Sequence, residues 1–271
     1  MRDWERRSAT MQRWYRRGMN TREIGEKLGC SAGTVRNCLL RCGTSFRSTP
    51  DRHRKYLVDH GAFDRHSEER SYWAGFLMAD GSVMTDPLDR RSARIEVHLA
   101  ARDAEHLELL RKFVGSTAPI RLGRGFASDR KAHDYAVLSL SSTPIARALA
   151  RFGVVPRKTK RTKVRLLSRD RDFWRGVIDG DGSMGFWIND GVRVPTISLV
   201  GSMTLLQQFL NFVKTIGIKT EVTVRRRRDE KLCAVSFARQ SAAHIVTALY
   251  DGASIALARK VKVAKRIIAE V

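Results

Sequence analysis

Two aspartates stand at the ends of two closely similar stretches. Residues 72–83 read YWAGFLMADGSV and residues 173–186 read FWRGVIDGDGSMGF, so Asp181 repeats Asp80 at a distance of 101 positions. Trp73 and Trp174, Gly75 and Gly176, and the runs Ala79–Ser82 and Gly180–Ser183 fall in the same places. A carboxylate is a hard oxygen donor suited to a divalent cation, and two held together repel each other unless cations fill the site. A single Asp-Gly has a blander explanation, because both residues are common in turns. Two copies in register are an internal duplication that preserves the pair.

A second recurrence is basic. Lys158, in FGVVPRKTK, lies 78 residues beyond Asp80, and Lys260, in SIALARKVK, lies 79 beyond Asp181. The first of them sits in a basic run, since residues 151–171 hold nine Lys plus Arg and one acid.

The elements that must position these groups also repeat. Ser67 is placed to cap a helix that begins at Glu68, with Glu68 and Glu69 in its first turn complementing the helix dipole. Gly75 and Ala79 are four apart, as are Gly176 and Gly180, which gives each motif helix a stripe of small residues and permits close backbone approach. After the first Asp-Gly, SARIEVHLAA alternates Ile95, Val97 and Leu99 with Arg94, Glu96 and His98, the pattern of a half-buried strand. A helix over about 103–114, strands near 119–123 and 134–141, and a helix over 144–152 follow. The second copy has VRVPTISLVG as a strand with Ile197 and Leu199 inward and Thr196 and Ser198 outward. It continues with the helix LLQQFLNFVKTIG, the strand pair TEVTVRRRR and KLCAVSFA, and the helix SAAHIVTALY. Each copy therefore reads as helix, two strands, helix, two strands, helix.

The 271 residues carry 51 Lys plus Arg against 28 Asp plus Glu, a formal net charge of +23. Such an excess selects a polyanionic partner, nucleic acid before membrane, because every neutralised phosphate releases counterions. No apolar run approaches the roughly 20 residues of a membrane span and no apolar signal segment opens the chain, so a cytoplasmic protein is expected, nucleoid-associated in a prokaryotic or phage setting. Four cysteines without CxxC spacing read as reduced thiols.

Residues 1–50 hold 11 Lys plus Arg against four acids. In TREIGEKLGCSAGTVRNCLLRCG, Ile24, Leu28, Val35 and Leu39 have the spacing of two short helices sharing a core. Gly29 suits a positive-φ turn, and Ser31 suits a cap. This resembles a helix-turn-helix, and the resemblance implies that Ala32, Gly33, Arg36 and Asn37 meet base edges in the major groove.

The two longer copies resemble the paired motifs of the LAGLIDADG homing endonucleases over residues 63–268. The resemblance implies an α+β fold: tandem pseudo-symmetric αββαββα half-domains with saddle-shaped antiparallel sheets, here preceded by the small all-α helix-turn-helix. It also implies that the motif helices pack side by side with Asp80 and Asp181 at the scissile phosphates, holding Mg2+, for which Mn2+ can substitute. Lys158 and Lys260 take the place of the basic residue beside each cleavage centre, with Arg157 and Arg259 as substitutes. Met78 departs from the acid or small residue common at that motif position. The sheets are then expected on duplex DNA, and side-chain parity nominates Arg94, His98, Arg121, Thr196, Ser198, Thr223, Arg225 and Arg227 as contacts, with Val222 and Val224 turned to the core.

The expected organisation is a helix-turn-helix domain over 1–50, a loosely packed linker over 51–66, a first half-domain over 67–168 and a second over 169–271. The expected function is site-specific cleavage of both strands of a long, asymmetric DNA target by a monomer. A strand of about eight residues spans about 26 Å, which gives about 16 base pairs for two sheets. The alternatives are a non-cleaving DNA-binding transcriptional regulator and an intron RNA maturase. The start MRDW and the end IIAEV lack intein signatures, so a free-standing protein is expected.

Overall fold

The computed structural model describes residues 3–17, 19–46, 56–84, 93–126, 132–156, 163–219, 222–226 and 233–270. The chain divides into two compact units, Met1–Leu57 and Val58–Val271.

The first unit holds α1 (Asp3–Arg16), α2 (Thr21–Leu28) and α3 (Ala32–Arg41). Met11, Tyr15, Ile24, Val35 and Leu39 are its buried core, and Leu28 packs at the rim. Asn20 and Glu23 form a reciprocal capping box at the start of α2, satisfying backbone donors that the first turn leaves open. Gly29 ends α2 at φ 66°, and Ser31 caps α3 by accepting from the backbone N–H of Thr34. Gly25 keeps this turn tight, because a Cβ there would lie 2.5 Å from the Cys30 carbonyl oxygen.

The second unit has two halves that share one order of elements, and the second half carries one additional helix at its end. The first comprises α4 (Glu68–Ala79), β1 (Gly81–Met84), β2 (Arg94–Ala100), α5 (Ala104–Phe113), β3 (Arg121–Phe126), β4 (Ala132–Ser141) and α6 (Thr143–Phe152). The second comprises α7 (Arg171–Asp181), β5 (Gly182–Asn189), β6 (Val192–Gly201), α8 (Met203–Thr215), β7 (Arg225–Arg226), β8 (Cys233–Ala238), α9 (Arg239–Tyr250) and α10 (Ala258–Ala269). Both sheets are antiparallel with equivalent orders, β1-β2-β4-β3 and β5-β6-β8-β7. The expected α+β class and the repeated order of helix, two strands, helix, two strands, helix are those observed. Two details differ: the strand expected over TEVTVRRRR is, among the described residues, confined to Arg225–Arg226, and an unexpected helix, Ala258–Ala269, follows the second half because Ala264 and Ile267 give it a face to bury.

The centre of this unit is the crossing of α4 and α7. Ser71–Met78 and Phe173–Asp179 are buried without interruption, which places both helices in the interior rather than on a surface. A Cβ on Gly75 would lie 1.9 Å from the Phe173 carbonyl oxygen, and one on Gly176 would lie 2.1 Å from that of Tyr72, so the backbones meet where only glycine fits. Proximities step from Tyr72 with Gly176 to Ala79 with Gly180, so the helices run in the same direction and end together. Asp170 ties their starts: it caps α7 through the N–H groups of Asp172 and Phe173 and accepts the Ser71 hydroxyl at 2.8 Å. The buried guanidinium of Arg175 on α7 donates to Glu68 of α4, to Asp172 and to the Leu249 and Ile255 carbonyls.

Residues 58–66, expected in the linker, pack with this unit. Phe63 is 1% exposed in its core, Asp59 N–H donates to the Val114 carbonyl, and His60 Nδ1 lies 2.7 Å from Ser142 Oγ. The aromatic ring of Phe63, set edge-on to Phe113, supplies the apolar anchor.

Candidate functional site

Each motif helix feeds its strand without a loop, and the glycine after each aspartate makes this possible. A Cβ on Gly81 would lie 2.7 Å from the Leu77 carbonyl oxygen, and one on Gly182 would lie 2.8 Å from that of Ile178. Gly182 has an extended backbone with negative φ, so the requirement is space beside the final helical turn rather than a left-handed conformation. The chain turns from helix to strand immediately after each carboxylate.

Asp80 caps α4, and its Oδ2 lies 3.3 Å from where a Cβ on Gly180 would stand, one residue before Asp181. Asp80 is half-buried and Asp181 exposed. Both carboxylates thus stand at one end of a parallel helix pair, where helix carbonyls already supply partial negative charge. The donor set is hard oxygen, which fits a divalent cation such as Mg2+. Among the described residues, no group of three or more His, Cys, Asp or Glu gathers to make a closed metal cage.

Lys260, in the first turn of α10, is 4% exposed. Its ammonium donates to the Ile178 carbonyl and, at 2.6 Å, to the Gly182 carbonyl, so it closes the C-terminal end of α7 around Asp181. Burial lowers its pKa to about 8, while the nearby carboxylates of Asp179, Asp80 and Asp181 act in the opposite sense. Arg259, the named substitute, instead pairs with Asp103 at 3.1 Å. Lys158 and Arg157 lie outside the described residues.

Asp179 is a site residue that the sequence reading did not single out. Fully buried, it accepts at 2.6 Å from the hydroxyls of Tyr72 and Tyr250 and from the backbone N–H of Leu257. Leu257 caps α10, so Asp179 holds in place the helix that carries Lys260. Burial raises the Asp179 pKa, opposed by these three donors and by Lys260. Tyr72 gives its proton to Asp179, so His106 Nε2, 2.8 Å from the same phenol oxygen, is the donor in that contact. The clue was available in register: Asp179 repeats the position of Met78, which lies in the apolar core.

Side-chain parity places the nominated sheet residues on the faces away from the core. On β2, Arg94 and His98 are exposed while Ile95, Val97 and Leu99 are buried, and Arg121 is exposed on β3. On β6, Ser198 pairs with Ser183 and Ser236, and Thr196 pairs with Gly185 and Ala238. Arg225 on β7 is exposed; Thr223 is exposed too but stands before the strand begins, in a segment whose Val222 and Val224 pack on the core. Trp187, 50% exposed, shares the face of Thr196 through its pairing with Val194, and alternation from Asp181 would have found it. Arg227 lies outside the described residues. In the first unit, Arg36 and Asn37 are exposed on α3, with the Arg36 guanidinium 5.0 Å from the Phe46 ring centre.

No protein-family profile matches this chain, and no curated protein does. Solved structures do. The meganuclease I-SmaMI bound to uncleavable DNA superposes with a TM-score of 0.52 at 12% identity, over 73% of this chain and 88% of its own. The LAGLIDADG meganuclease I-AabMI bound to uncleaved DNA gives 0.51 at 12%, over 73% and 88%. The LAGLIDADG homing endonuclease I-GzeII in complex with its DNA target gives 0.50 at 12%, over 74% and 91%. With its doubled motif, its glycine-lined helix crossing and its two like-ordered sheets, the chain has the LAGLIDADG homing endonuclease fold.

Proposed function

We propose that the protein is a site-specific double-strand DNA endonuclease of the homing type, acting as a monomer on a long asymmetric target. The observation that carries this reading is the placement of Asp80 and Asp181 at the same end of two parallel, glycine-packed helices, with the Lys260 ammonium in the field of both. Structures of the same fold are described as meganucleases and homing endonucleases bound to DNA. The net charge of +23 suits a polyphosphate partner.

Asp80 and Asp181 would hold divalent cations through their carboxylate oxygens, with water and phosphate oxygens completing each shell. Mg2+, or Mn2+ in its place, would supply positive charge where a phosphodiester develops negative charge during hydrolysis. Lys260 holds the α7 end in shape and adds fixed positive charge beside it. Lys158 is proposed for the equivalent role in the first half. Arg94, His98, Arg121, Thr196, Ser198, Thr223, Arg225 and Arg227 are proposed to contact the duplex from the two sheets, and Arg36 and Asn37 from the helix-turn-helix.

The test uses a duplex made by joining the sequences that flank the gene, or one selected from a random pool. Wild type should bind it and cut both strands with Mg2+. Asp80→Asn and Asp181→Asn should each bind at least as well and cut about 100-fold more slowly or worse, because each removes a hard ligand and one negative charge. A duplex bound tightly yet left intact with both Mg2+ and Mn2+ would instead identify a non-cleaving DNA-binding regulator.

A further inference from the structure

Glu96 is an acid set into a surface that the proposed function assigns to DNA. It lies in mid-strand on β2 between Ser82 of β1 and Ser139 of β4, with its side chain 13% exposed. Basic groups surround it: Arg94 Nη2 at 2.5 Å, His98 Nε2 at 3.8 Å and Arg121 Nη2 at 3.9 Å. Those three side chains keep 49%, 59% and 60% of their surface, so each remains open to a partner.

A surface built only to hold phosphates gains nothing from a carboxylate, which cancels positive charge and repels the polyanion. Its effect here is on direction. Arg94 Nε donates to Ser139 Oγ at 2.9 Å while Nη2 meets Glu96, so the guanidinium plane is fixed from two strands. A guanidinium held in one plane is a fork that matches the paired acceptors O6 and N7 of guanine, whereas a free one reaches a phosphate in many rotamers.

We infer that Glu96 is a specificity-determining residue: it positions Arg94 as a guanine-reading donor and weakens binding to unselected DNA. The inference rests on the DNA-cleaving reading and specifies what one of its surfaces selects. Glu96 acts through Arg94 and is a positioning residue.

The experiment offers the full chain a pool of duplexes randomised across the site, without divalent cation, so that binding alone is read. Glu96→Gln keeps the size and an acceptor but loses the charge. It should bind an arbitrary duplex several-fold tighter and lose roughly ten-fold of its preference at a G·C position, the same position at which Arg94→Lys loses preference. Glu96→Asp keeps the charge but withdraws it from Arg94, and should lose preference there without the gain in affinity. The inference is overturned if wild type selects a sequence and the Glu96 variants select it equally strongly at every position. It is also overturned if they lose preference at positions unrelated to those of Arg94→Lys. A wild type with no sequence preference would remove the proposed function, and this inference with it.

Discussion

Asp179, Lys260 and His106 form a buried polar group beside two surface-reaching carboxylates, and burial of the His106 imidazole has a consequence that can be measured. His106 sits among the rings of Tyr72, Trp73 and Phe76, and burial lowers its pKa to about 4. The unfolded chain, with an ordinary imidazole near 6.5, binds the proton more tightly than the folded protein. Stability should therefore be lost as pH falls from about 6.5 to about 4, by about 2 kcal/mol at pH 5. His106→Phe preserves the ring packing and removes the titration. The gap between its unfolding midpoints at pH 7 and pH 5 should be smaller than that of wild type, and equal gaps would reject this origin. Lys260 illustrates a different point: an ammonium donating to two carbonyls at a helix end stabilises that end and, at the same place, adds charge to a site of carboxylates.

Among the elements, the α4–α7 crossing leaves no room for added atoms. Gly176→Ala sets a methyl 2.1 Å from the Tyr72 carbonyl oxygen and 2.6 Å from Phe76 N, both backbone atoms, so the helices must separate. A loss of about 3 kcal/mol or more is expected in denaturant unfolding. Gly185→Ala is the control, because a Cβ there meets nothing within 4 Å, and it should change stability by no more than about 0.5 kcal/mol. Similar losses from both variants would contradict the packing argument. The sheets are more tolerant on their outer faces. Arg225→Ala should leave the unfolding midpoint unchanged but flatten the salt dependence of DNA affinity by about one unit of log-log slope, as the loss of one phosphate contact requires. An unchanged slope would make Arg225 a merely solvated charge.

For the whole molecule, the division at Leu57 and Val58 predicts separable behaviour. The first unit has its own core of Met11, Tyr15, Ile24, Val35 and Leu39, and its removal leaves the core of the second unit intact. Residues 1–57 hold 14 Lys plus Arg against five acids, and residues 58–271 hold 37 against 23, so both units are suited to DNA. Deleting residues 1–57 should weaken binding and shorten the footprint at one end while leaving the cut position and the unfolding of the remainder unchanged. An unaltered footprint would show that the first unit does not engage the target. Among the described residues, no helix is long and apolar enough to cross a membrane.

The sequence by itself determined the α+β class, the doubled order of elements, the two Asp-Gly positions and the alternation that turns Arg94, His98 and Arg225 outward. These are local or repeated signals: a strand period of two, a cap, and a motif that occurs twice in register. Only the tertiary structure decided which groups meet. A helix buried on every side, such as Ser71–Met78, has no polar stripe to reveal its neighbour, so glycine stripes could permit a close crossing without fixing its direction. Lys260 was found by its spacing, but its burial against α7 depends on a contact across 82 residues. Asp179 joins Tyr72, Tyr250 and Leu257 across separations of 71 to 107, and no local pattern encodes partners that far apart. Phe63 gave no period within a polar stretch, yet one aromatic ring with a core to enter was enough to bring residues 58–66 into the second unit.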